Sequence, residues 1–157
     1  MPAGVYIETS IPNALVSQRT DAASIYHGEI TDLWWNQQRR FYDVWISEAV
    51  VAELEQGNWP GQREALDVVR PLPRLAIDEE ILNVARRYVW EHLVPKSLGG
   101  DATHLAVACV HQVDFLLTWN IRHLANSNKL QHLLTINRRM GLPTPYNLTP
   151  DALWMEE

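Results

Sequence analysis

Short apolar runs alternate with longer stretches of helical periodicity along the whole chain, and this alternation restricts the fold more than any other feature. Strands separated by helices pair in parallel through right-handed crossovers, so the pattern predicts an α/β fold. Val5-Tyr6-Ile7 reads as a first strand closed by Glu8-Thr9-Ser10, with Ser10 as a helix cap and Pro12 in the first helical turn. A long helix is expected from about Asp21 to Arg40, with the Trp34-Trp35 pair near its end. Asp43-Val44-Trp45-Ile46 reads as the second strand, after which Ser47 caps a helix carrying Val50, Val51 and Leu54 on one face. Gly57 ends that helix, and Trp59-Pro60-Gly61 opens another that runs to about Arg70.

Pro71 and Pro73 bracket a short third strand near Leu75-Ala76-Ile77, and Asp78 caps the helix that follows. Gly99-Gly100 frees the backbone before Asp101, which opens the most apolar helix, ATHLAVACVHQ. Asp114 to Thr118 is the fourth strand, ending at Trp119-Asn120. A helix from about Asn126 to Met140 is stopped by Gly141-Leu142-Pro143, and Tyr146-Asn147-Leu148 adds an edge strand beside its prolines. A length of 157 residues, 46% of them hydrophobic, suits one domain over residues 1–157 with a full core.

No apolar run approaches the roughly 18 residues of a membrane span. The opening MPAGVYIETSIPNALV lacks a basic region and reaches Glu8 early, which predicts a cytoplasmic protein and no membrane partner. Cys109 is the sole cysteine and lies in an apolar run, where a buried structural thiol is the ordinary expectation. The formal charge of −6 argues against coating nucleic acid through global charge. Contact with nucleic acid would have to be local, through residues such as Arg39, Arg40, Arg122, Arg138 and Arg139.

In a parallel sheet, ligands bind beyond the carboxyl ends of the strands. Glu8 and Asn120 both fall at such an end, Glu53 lies in the helix after the second strand, and Asp101 opens the helix before the fourth. Hard divalent cations take oxygen ligands, and Mg²⁺ uses one or a few carboxylates together with waters. Acids dispersed in sequence but meeting at the sheet edge suit phosphodiester cleavage. Each also has an ordinary explanation: Glu53 sits among the surface glutamates Glu48 and Glu55, Asp101 can be an N-cap, and Asn120 can be a turn residue. Glu8 is the hardest to explain away, because a carboxylate ending an apolar strand is costly to bury alone.

These segments resemble the PIN-domain family, and within it the VapC-like proteins of toxin–antitoxin modules. The carriers are VYIETSIPN, SEAVVAELEQG, GGDATHLAVACVHQ and FLLTWNIRHL, in the family's order from Val5 to about Leu148. The resemblance implies a three-layer α/β/α sandwich with a mostly parallel sheet in the order 3-2-1-4-5. It also implies a Mg²⁺- or Mn²⁺-dependent endoribonuclease acting on RNA, with a small antitoxin protein and a homodimer as partners. Carried over by position, Glu8, Glu53, Asp101 and Asn120 form the catalytic set, with Glu8, Asp101 and Asn120 on the metal and Thr9 and Thr118 in support.

Two departures stand out: Glu8 replaces the usual Asp, and Asn120 replaces an acid. Together with the Thr-Trp-Asn-x-x-His ending they resemble one PIN subgroup. Loss of charge at Asn120 opens the alternative of a catalytically weak or inactive PIN-fold module that binds RNA or protein. Hydrolysis of DNA is a third reading that the acids alone do not exclude. His104 lies three residues after Asp101 and His123 three after Asn120, so either imidazole can reach the site or serve only in structure. Of the seven tryptophans, Trp34, Trp45, Trp90 and Trp119 are expected in the core or an interface, and Trp119 is placed to stack on a base. The Trp34-Trp35 segment is the expected dimer surface.

Overall fold

The computed structural model describes residues 2–96 and 100–156. Four strands, β1 (Ala3–Ile7), β2 (Tyr42–Trp45), β3 (Phe115–Leu117) and β4 (Tyr146–Leu148), form a parallel sheet in the order β2-β1-β3-β4. Helices flank it: α1 (Ser10–Val16), α2 (Ala22–Leu33), α3 (Glu48–Glu55), α4 (Gln62–Val69), α5 (Glu79–Trp90), α6 (Asp101–Val110) and α7 (Leu130–Met140). The two central strands are unbroken apolar runs because both faces are covered: Val5, Tyr6, Ile7, Leu116 and Leu117 are all fully buried. Among the described residues, no helix is long and apolar enough to cross a membrane.

The expected third strand at Leu75-Ala76-Ile77 does not form, so the five-stranded order becomes a four-stranded one. What remains is one parallel bridge between Ile46 and Arg74, held by Ile46 N to Pro73 O at 3.0 Å and Leu75 N to Ile46 O at 2.8 Å. Pro73 has no N–H to extend a ladder, and Asp78 soon diverts the chain by accepting from Ile81 N at 3.0 Å to start α5.

The long second helix is not continuous either. After Leu33 it widens into a π segment, Trp34–Gln38, and tightens into a 3-10 turn, Arg39–Phe41. The extra residue turns both Trp34 and Gln38 inward, where Trp34 Nε1 donates to Leu153 O at 2.9 Å and Gln38 clamps the backbone of Met155. Trp34 is therefore fully buried and cannot supply a dimer surface; on α2 it is Ile25, Tyr26 and Leu33 that are exposed. Trp90 lies outside the core, 73% exposed with the Arg87 guanidinium over its ring. The helix expected from Asn126 begins instead as a 3-10 turn, Ser127–Lys129, before α7 starts at Leu130. Asn126 caps that turn by accepting from Asn128 N at 3.0 Å.

Candidate functional site

Strand register brings the first two site residues together. Ile7 pairs with Leu117, and the ladder continues as Glu8 N donates to Leu117 O at 3.1 Å, so Glu8 emerges beside Thr118 at the carboxyl edge. Glu8 is only 5% exposed, and its Oε1 accepts from Thr118 Oγ1 at 2.6 Å, Ser10 Oγ at 2.5 Å and Ser10 N at 3.2 Å. Charge-assisted bonds of this kind make burial of a carboxylate tolerable. Ser10 is thus a ligand of Glu8 and does not cap α1; Trp119 N also donates to its hydroxyl at 2.8 Å.

Asp101 is the first residue of α6, behind Gly100 at the cap, and its side chain is bonded by Asn120. The N-cap explanation for this acid therefore falls. Its carboxylate sits near the positive end of the helix dipole, where a negative charge is favoured. Both its oxygens accept from Asn120 Nδ2, at 3.2 and 3.1 Å. The oxygen of Asn120 points the other way and accepts from His123 N at 3.1 Å. Burial, then the negative charge of Glu8, holds the Asp101 carboxyl above its ordinary range against the opposing Asn120 bond and the charges of His123 and His104. Glu8 and Asp101 are therefore near enough to repel.

Glu53 goes elsewhere. Its Oε1 pairs with Nε2 of the fully buried His104. The other ring nitrogen of His104 bonds Tyr6 OH at 2.6 Å, and that hydroxyl bonds Ser47 Oγ at 2.7 Å. Thr9 Oγ1 lies 3.3 Å from His104 Nε2. Burial pulls the His104 imidazole down, but the Glu53 bond and the charges of Glu8, Glu53 and Asp101 more than offset it, leaving it above its ordinary range. Burial likewise pushes the Tyr6 phenol far up, so it stays neutral. Ser47, expected as a helix cap, is the end of this relay and makes no side-chain capping bond.

Gly100 is part of the same geometry. Its φ of −85° suits any residue, but a Cβ there would collide with the Glu53 carboxylate and lie 3.0 Å from His104 Nε2. Its glycine character supplies room for Glu53, not a special backbone angle. Gly99, expected to act with it, lies outside the described residues.

Tyr6, Ser10, Ser47 and Gly100 were not legible as site residues. Tyr6 looks like any strand aromatic, and the serines like caps; only the long-range pairing reveals them. Trp119 is buried, its ring stacked on His27 at 4.0 Å and its Nε1 donating to Thr31 Oγ1 at 2.8 Å. It holds the wall of the site in place and has no open face to offer a base. Three of the five expected arginine contacts are already engaged locally, Arg39 over Trp35, Arg40 over Phe41 and Arg139 with Glu91 at 3.2 Å.

Hydrogen bonding thus ties Glu8 to Ser10 and Thr118, Asp101 to Asn120, and Glu53 to His104. Among the described residues, no three His, Cys, Asp or Glu side chains gather closely enough to hold a metal ion. Glu8, Glu53 and Asp101 therefore do not gather into a single three-acid cluster. The physical cause is twofold: Glu53 is drawn to an imidazole, and position 120 brings an amide donor where a carboxylate would complete the set.

No family model matches the chain. No curated protein matches it either. Among solved structures, it is similar to a chain in the crystal structure of VapBC2 from Rickettsia felis bound to a DNA fragment from their promoter. The TM-score is 0.53 at 14% identity, over 93% of this chain and 98% of that one. At that identity the likeness is one of fold: a mixed α/β arrangement, with a parallel sheet flanked by helices, consistent with a PIN-like α/β/α sandwich.

Proposed function

We propose that this chain is a PIN-like module that binds RNA through the carboxyl edge of its sheet and hydrolyses it weakly or not at all. The observation that carries this reading is the Asn120 amide donating to both oxygens of Asp101, with Glu53 paired to His104. Those bonds satisfy the acids from within the protein, so a cation would have to displace them to enter. A small antitoxin-like protein and a second copy of the chain are the partners proposed with it, by analogy of fold to the VapBC2 complex. A cytoplasmic location belongs to the same reading.

Incubation of the purified chain with a labelled RNA and Mn²⁺ tests this directly. The RNA should shift in a native gel and be recovered intact from a denaturing one. Multiple-turnover cleavage that disappears in Glu8→Gln would overturn the reading.

One observation favours a second reading, the metal-dependent ribonuclease of a toxin–antitoxin pair. Glu8 and Asp101 are both buried and repel each other, and relief of such repulsion is what a divalent cation supplies. On that reading Glu8 and Asp101 hold Mg²⁺ or Mn²⁺ with the help of Asn120, and Thr118 keeps Glu8 in place. Calorimetric titration with Mn²⁺ separates the two: saturable binding lost in Asp101→Ala supports the nuclease.

A further inference from the structure

The last turns of α5 and α7 meet in a cluster of cations built around one carboxylate. Arg87 Nε donates to Glu91 Oε2 at 2.7 Å, and Arg139 Nη1 donates to Glu91 Oε1 at 3.2 Å. The Glu91 side chain is 13% exposed, whereas those of Arg87 and Arg139 are 45% and 59% exposed. The Arg87 bond, with the charges of Arg87, Arg139 and the exposed His132, holds the Glu91 carboxyl below its ordinary range against its burial. Among the described residues, the ion pairs of Arg87 and Arg139 both end on Glu91. One carboxylate between two guanidinium groups leaves a net positive charge, on a chain whose formal charge is −6.

Glu91 fixes the two heads without using them up. A guanidinium carries five N–H donors in one plane, and each arginine spends one on this carboxylate. The Arg87 guanidinium also lies over the Trp90 ring, 5.6 Å from its centroid. Trp90 is still largely exposed, so the ring face turned away from Arg87 is open to solvent. Arginines in the last turn of a helix complement its dipole, which accounts for the charges but not for an exposed indole set among them. An aromatic ring contributes most by burial, and here its stacking face is left unused within the fold.

We propose that this face, Trp90 with Arg87, Arg139 and His132, is a docking surface for single-stranded RNA. A base stacks on the open side of the indole, and the adjoining phosphates meet the guanidinium groups. An acidic peptide would satisfy the cations but has no flat partner for the ring. A duplex keeps its bases stacked on one another and could not lend one to the indole. The inference rests on the RNA-binding reading given above, and adds a contact made by residues other than the acids at the sheet edge. It needs no hydrolytic capacity.

Fluorescence anisotropy on the full chain, with a ten-nucleotide oligoadenylate and with an abasic strand of equal length, tests the stacking. Trp90→Ala should weaken oligoadenylate binding by about fivefold or more and leave the abasic strand nearly unchanged, while Trp90→Tyr should restore most of the affinity. Arg139→Gln should lower the slope of log affinity against log salt by about 0.7, the share of one phosphate contact on a single strand. Equal oligoadenylate affinity in Trp90→Ala and the parent overturns the proposal. So does an equal loss for the abasic strand. An oligoglutamate peptide that binds as tightly as the RNA, with the same dependence on Trp90, overturns it in favour of a protein partner. Amide and indole NMR with the same oligoadenylate separates this proposal from the reading it rests on. Shifts at both the Trp90 indole N–H and the Thr118 and Asn120 amides support both. Shifts at the sheet edge without Trp90 overturn this proposal alone, and shifts at Trp90 without the sheet edge support it and overturn the carboxyl-edge placement. No saturable shift at either place overturns both.

Discussion

Asn120→Asp restores the acid that the resemblance expects, and its cost can be worked from the structure. The amide now lies 3.1 and 3.2 Å from the two oxygens of Asp101. Replacement removes a hydrogen bond to a charged acceptor, worth about 1.5–3 kcal/mol. It also sets a second carboxylate against the first. At about 4 Å between charge centres and an effective dielectric near 20, the repulsion is about 4 kcal/mol. Rotation of the new side chain and uptake of a proton relieve part of this, so a net loss of about 3–5 kcal/mol is expected without a cation. That is a large share of the roughly 5–15 kcal/mol that holds a domain folded. In urea with EDTA, the midpoint should fall by roughly 2 M for a slope near 2 kcal/mol per M. A cation entering the completed set reverses the sign of the interaction. Mn²⁺ at about 100 times its dissociation constant would return about 2.7 kcal/mol to the variant and much less to the parent. Equal urea midpoints in EDTA, together with no gain from Mn²⁺, would refute the reasoning. They would show that the Asn120–Asp101 pair is not what closes the centre.

Asp101→Asn removes the charge that Glu8 opposes. The folded Asp101 carboxyl titrates above its unfolded value, so its stabilising contribution is present at low pH and is lost as pH rises through the raised folded value. The variant should therefore gain on the parent as pH increases from about 4 to 7, read by thermal unfolding at each pH; a variant that loses stability relative to the parent over this range would contradict the burial and repulsion assigned to Asp101. Tyr6→Phe leaves Ser47 and His104, both fully buried, short of a partner and should cost about 1–3 kcal/mol in urea unfolding. No measurable loss would mean that the relay is not held by the phenol. Gly100→Ala forces Glu53 away from His104 and should destabilise by about 1–3 kcal/mol, with a changed His104 ring resonance in NMR; an unchanged resonance would show that the contact is not tight.

Much of the site was legible as position. Apolar strands ending in Glu8 and in Thr118-Trp119-Asn120 declare their place at a sheet's carboxyl edge, because period and composition are local properties. The partners of those residues were not legible. Ser10 and Ser47 precede helical patterns and read as caps, yet each hydroxyl is taken by a residue from another element. The third strand failed for a local reason as well: the proline pattern that framed it also limits it to one bridge. The π segment at Trp34–Gln38 has no local signal, because what turns Trp34 and Gln38 inward is the C-terminal segment, more than a hundred residues away.

The amino-acid sequence by itself determined the alternation of strands and helices, the parallel pairing, and which acids stand near the sheet's carboxyl edge. Only the tertiary structure decided how those acids are used. Glu53 turns to His104 because Gly100 leaves room for it and Tyr6 holds the imidazole, and Asn120 faces Asp101 because β3 and α6 meet at one edge. Periodicity is set by neighbours along the chain, whereas the partner of a buried polar group is chosen by packing between elements far apart in sequence. For that reason the same four positions are compatible with a cation centre in sequence and pair separately in the fold, Asp101 with Asn120, Glu53 with His104, and Glu8 with Ser10 and Thr118.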